Sequence, residues 1–85
     1  MDERDQKRDG VVEKFTPGDL LLLRHELLQS GVDSFQAAEI VANFLTGRGY
    51  GVGSQEARGA AAVIEAAGAT PERIQQELER VARVM

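Results

Sequence analysis

In Asp33-Ser-Phe-Gln-Ala-Ala-Glu-Ile-Val-Ala-Asn-Phe-Leu-Thr46 the apolar residues return every three or four positions. At about 100° per residue, Ala37, Ala38, Ile40, Val41, Phe44 and Leu45 fall on one broad face. Gln36, Glu39 and Asn43 fall opposite. Asp33 or Ser34 supplies the side-chain acceptor that starts such a segment. The stretch therefore reads as an amphipathic helix over 34–46, and its neighbours follow the same grammar.

Upstream, Thr16-Pro17-Gly18-Asp19 is a helix start: a capping hydroxyl, a proline suited to the first turn and an acid at the positive helix end. The helix it opens is expected over about 17–30, with Gly31 closing it in the left-handed conformation. Downstream, Ser54 is expected to cap a helix over about 54–67, closed by Gly68. Thr70-Pro71-Glu72 repeats the first starting signal and opens a helix over about 71–84. Between the second and third helices lies Gly47-Arg-Gly-Tyr-Gly-Val-Gly53, with room for a brief extended stretch at Tyr50–Val52. Leu27–Phe35 and Ile64–Glu72 both read as helix, glycine-centred turn and capped helix, which ordinary αα-hairpin grammar explains.

The expected fold is all-α: four short helices forming two αα-hairpins joined by a Gly-rich loop, one helical domain over 16–85 behind a disordered N-terminal tail. Residues 1–15 are read as that flexible polar tail, because the mixed charges of 1–10 bury too little apolar surface to offset ordering. Val11, Val12 and Phe15 are able to dock back. The expected core is Leu20, Leu23, Leu27, Ile40, Val41, Phe44, Leu45, Ile64, Ile74, Leu78 and Val81. Met85 extends the buried stripe of the last helix. Glu72, Arg73, Gln76, Glu77, Glu79, Arg80 and Arg83 are expected in solvent, with Glu79 and Arg83 paired at i,i+4. The third helix turns Ala57, Ala60, Ala61, Ile64 and Ala67 to one side, where small side chains admit a close neighbour. The first helix has more leucines than one stripe holds. Leu21 and Leu28 stand roughly 100° from Leu20, Leu23 and Leu27, which suggests packing against two neighbours with Arg24 between them. Leu22 points nearly opposite Leu20, Leu23 and Leu27 and has to be exposed, covered by the tail or buried in a partner.

Composition narrows the chemistry. The chain has 85 residues, no Cys and one His, which excludes disulfide staples, thiolate catalysis and a His-rich metal site within one chain. Ser30, Ser34 and Ser54 sit where capping explains them, and His25 has no partner for nucleophilic work. No catalytic residue, metal ligand, cofactor or small-molecule substrate is assigned. No stretch approaches the ~20 apolar residues of a membrane span, and the working expectation is a soluble cytoplasmic protein. The glycine loop is neither dinucleotide nor phosphate-loop fingerprint, since a helix precedes it and the Gly-Lys-Ser/Thr ending is absent. It reads as a connector, with a phosphate cradled by its exposed amides and paired to Arg48 as the alternative.

Two functional readings remain. The leading one is a small non-enzymatic adaptor or regulator that binds another protein or itself. Its candidate interface is Leu22 together with the small-residue strip Gly59, Ala62 and Ala66. The alternative is an acidic helix-turn-helix-like nucleic-acid binder built on the last two helices. There Arg73, Gln75, Gln76 and Arg80 would face bases or phosphates, with Arg48 pairing a phosphate and Tyr50 stacking on a base. Against it, Glu72, Glu77 and Glu79 crowd the same helix, and 14 acidic against 10 basic residues leave a net charge of -4.

Overall fold

The computed structural model describes residues 12–84. The part of the expected tail at 1–11, and Met85, lie outside the described residues. Among the described residues the chain runs through α1 (Pro17–Leu27), α2 (Ser34–Thr46), β1 (Tyr50–Gly51), α3 (Ser54–Glu65), α4 (Pro71–Val81) and β2 (Arg83–Val84). The protein is all-α apart from one short antiparallel strand pair, in which Tyr50 lies opposite Val84 and Gly51 opposite Arg83.

Local chemistry sets the helix starts. Thr16 Oγ1 accepts the Asp19 amide at 3.1 Å, and Thr70 Oγ1 accepts the Arg73 amide at 3.2 Å, each with proline following. Asp33 closes a reciprocal capping box on α2: its carboxylate accepts the Gln36 amide at 2.8 Å, and the Gln36 side chain accepts the Asp33 amide at 3.3 Å. Ser54 does not cap α3. Gly53 occupies that position and makes no side-chain bond. Asp33→Ala is expected to lower stability by about 0.5–2 kcal/mol in urea unfolding, and Ser54→Ala by much less.

Three helices end sooner than their sequence suggests. In α1 the Leu28 amide is shared between the Arg24 and His25 carbonyls at 3.0 and 3.2 Å, which tightens the chain into a turn. In α3, Ala66 is already extended, and the Arg24 side chain takes over the helix end by donating to the carbonyls of Ile64 at 3.0 Å and Ala66 at 3.1 Å. In α4, Ala82 turns extended so that Arg83 and Val84 can pair with the glycine loop. That strand pair replaces the last helical turn expected over 82–84. It also removes the expected Glu79–Arg83 pair: Arg83 lies instead 3.9 Å from Glu56.

The core draws on all four helices. Leu20, Leu23 and Leu27 from α1, Ala37, Val41 and Leu45 from α2, Ala57, Ala60, Ala61 and Ile64 from α3, and Ile74, Leu78 and Val81 from α4 are buried. Val12, Phe15 and Tyr50 join them. The most extensive helix–helix contact is between α2 and α3, across the glycine loop. The small residues buried on α3 suit a close helix contact, although Ala67 lies beyond the helix and is exposed. Ile40 and Phe44, expected in the core, are only half-buried and pack on its edge. Leu21 and Leu28 do not form a second buried face, each remaining 48% exposed. α1 contacts α2, α3 and α4, and Arg24 adds hydrogen bonds to the end of α3.

Candidate protein-interaction site

Between α1 and α2 runs a groove of about 670 Å³. One wall is Leu22, Leu23 and Glu26, one turn apart on α1. The other is Ile40, Asn43 and Phe44 on α2, with Val32 of the connecting turn at the far end. The half-burial of Ile40 and Phe44 belongs here, because these side chains form the groove's apolar wall. The near end is closed by Arg48, which donates to Asp19 at 3.5 Å and to the Phe44 carbonyl at 3.0 Å. Its guanidinium carbon lies 3.8 Å from the centroid of the Phe44 ring, a cation–π contact that holds the ring in place.

Leu22 stands on the lip of this groove and is 63% exposed. The docked Val12 and Phe15 are buried elsewhere and do not cover it. Of the remaining candidate interface residues, Gly59, Ala62 and Ala66 are exposed. Ala62 and Ala66 line a different hollow, with Val63 and Arg73, that shares no residue with the groove. The structure thus does not bring the small-residue strip and Leu22 to one site.

The nucleic-acid set divides. Arg73 and Gln76 are exposed on α4, with exposed Glu72 and Glu79 on the same helix. Arg80 is also exposed, but both ends of its guanidinium bond the buried Glu77 carboxylate. That hydrogen bond first, and the charge of Glu77 second, raise the Arg80 pKa further. Glu77 is therefore not part of a solvated face. Arg48 is engaged as described above. Tyr50 and Gln75 leave the set altogether. Tyr50 is buried, its hydroxyl accepting the Glu13 amide at 2.9 Å and donating to the Glu13 carboxylate at 3.3 Å. Gln75 is 6% exposed. Its Oε1 accepts the Phe15 amide at 3.0 Å, and its Nε2 donates to the Glu13 carbonyl at 2.9 Å and to Glu79 at 2.8 Å. Neither side chain has a free edge for a base.

The glycine loop is more than a connector. Gly49 alone among its four glycines has positive φ, 90°, which a side chain would strain. This turn sends Tyr50 inward and Gly51 into the strand pair. Sequence reasoning missed the Gln75–Glu13–Tyr50 network. Its only trace was the position of Gln75 on the flank of the Ile74–Leu78 stripe. Among the described residues, no group of three His, Asp or Glu side chains is placed to hold a metal ion, and no helix is long and apolar enough to cross a membrane. Comparison with known proteins found no match: no family model, no curated protein and no solved structure corresponds to the chain.

Proposed function

We propose that the chain is a small, cytoplasmic, non-enzymatic interaction module that seats an amphipathic helix of a partner protein in the groove between α1 and α2. The observation that carries this reading is α1 itself. It has five leucines in eleven residues, yet only Leu20, Leu23 and Leu27 are buried, and Leu22 borders an apolar-walled groove. An amphipathic helix ordinarily buries its leucines in one stripe, and here Leu21 and Leu22 are left exposed beside that stripe. The groove follows α1 from Asp19 to Glu26, about 10 Å at the helical rise, which accommodates two turns of a partner helix.

Charge supports the choice of partner. Glu26 is the acid of the groove that is not paired with its one cation, since Arg48 pairs with Asp19, and the chain is net acidic. The fitting helix presents apolar residues at i, i+3 and i+7 with lysine or arginine on its flanks. Two labelled amphipathic peptides, identical except for lysine or glutamate flanks, test this by fluorescence anisotropy. The lysine peptide is expected to bind about tenfold more tightly or better, a difference of ~1.4 kcal/mol. Leu22→Glu is expected to abolish its binding while leaving the helical circular dichroism unchanged. Equal binding of both peptides, or indifference to Leu22→Glu, would defeat the reading. Sedimentation of the wild type addresses self-association: a dimer lost in Leu22→Glu would put a second copy in the groove instead.

A further inference from the structure

The segment Val12–Phe15 is held to the helical body as a bound peptide is held. Val12 and Phe15 are buried, while Glu13 and Lys14 between them are exposed. The Phe15 ring packs edge-on against Phe44, centroids 5.2 Å apart, and against Tyr50 at 6.1 Å. Among the described residues, no backbone–backbone hydrogen bond ties residues 12–15 to another element. Their main chain is read by two buried side chains. Gln75 presents its carbonyl to the Phe15 amide and its NH2 to the Glu13 carbonyl, as the edge of a strand would, and the Tyr50 hydroxyl takes the Glu13 amide.

Recognition of this kind specifies the main-chain groups of Glu13 and Phe15 and two apolar side chains three residues apart. Between them Lys14 is exposed and carries no hydrogen bond to Phe44, Tyr50 or Gln75, while the Glu13 carboxylate accepts the Tyr50 hydroxyl at 3.3 Å. The segment runs directly into Thr16, which caps α1. We infer that Val12–Phe15 is an intramolecular ligand, and that its seat on Phe44, Tyr50 and Gln75 is a second binding site. It takes an apolar-x-x-apolar peptide from a partner when the strap opens. The seat shares Phe44 with the groove between α1 and α2, but Leu22 plays no part in it, so Leu22→Glu separates the two sites.

Two measurements test it. The first is native-state hydrogen exchange on the wild type. The Phe15 and Glu13 amides are expected to exchange at least about tenfold faster than those of Leu45 and Leu78, with little dependence on low urea. Exchange of all four at one rate with one urea dependence would show that the strap opens only when the protein unfolds, and would overturn the proposal. The second uses a labelled peptide of residues 10–17 added to full-length protein. It is expected to bind Phe15→Ala at least about tenfold more tightly than wild type, whose own strap competes at high effective concentration. Adding Gln75→Leu to Phe15→Ala is expected to remove that gain. A folded Phe15→Ala protein that ignores the peptide at millimolar concentration would also overturn the proposal. Should Phe15→Ala lose its helical signal, the exchange experiment on the wild type decides alone.

Discussion

Leu45→Ala is expected to cost about 2–5 kcal/mol and to lower the melting temperature by roughly 10–30 °C. Leu45 is 0% exposed on the face of α2 that meets α3, the most extensive contact in the molecule. Removing its side chain forfeits the transfer energy of three carbons and leaves a cavity that two packed helices cannot collapse around freely. A chain of this size has total stability of about 4–13 kcal/mol, so one such truncation consumes a large share of it. Leu22→Ala removes the same atoms from a side chain that is 63% exposed, and is expected to change stability by no more than about 0.5 kcal/mol. Urea unfolding of both variants, followed by far-ultraviolet circular dichroism, makes the comparison. Similar midpoints for the two would mean that α1 and α2 are packed differently from the arrangement described.

Ala60→Leu is expected to destabilise by about 1–3 kcal/mol even though leucine is more apolar and nearly as good a helix former as alanine. Ala60 is 0% exposed, and with Ala57 and Ala61 it is one of the small residues buried on α3, the helix in most extensive contact with α2. A longer side chain there has to displace its neighbours or adopt a poor rotamer. Ala62→Leu is the matched control. It makes the same chemical change two residues on, at an exposed position, and is expected to be neutral within about 0.5 kcal/mol. If both substitutions were neutral, the packing around Ala60 would be looser than its burial implies.

These expectations rest on features of differing legibility. The alanine face of α3 and the apolar stripe of α2 are visible as periodicity, because each is a property of one helix. The surplus of leucines on the first helix is visible as well, and Leu22 stands out as the residue that no stripe accommodates. The groove beside it is not visible in the same way. Its walls come from Leu22 and Glu26 on one helix and from Ile40 and Phe44 on another. Whether Ile40 and Phe44 belong to the core or to a groove depends on how α1 and α2 are placed relative to each other, and no pattern within either segment carries that placement. Arg24 illustrates the same point. On a helical wheel it sits between two leucine groups, whereas in the fold it reaches across 40 and 42 residues of sequence to the end of α3 and leaves Leu21 and Leu28 half-exposed.

What the sequence by itself determined is the set of helices and where each begins. The capping oxygens of Thr16, Asp33 and Thr70 act on amides only three residues away, and the prolines restrict their own backbone. Interactions of that range form in any chain carrying those residues, so they can be read without knowing the fold. The helix ends and the polar core belong to the tertiary structure. The last helix stops at Val81 because Arg83 and Val84 find a partner at Tyr50–Gly51, on the other side of α3 in sequence. Gln75 is buried because the backbone of residues 13–15 arrives beside it from 60 and 62 positions away and satisfies both ends of its amide. A glutamine is ordinarily left in water, since burying its amide unpaired costs more than its aliphatic stem gains. Only the assembled fold supplies the partners that reverse that balance.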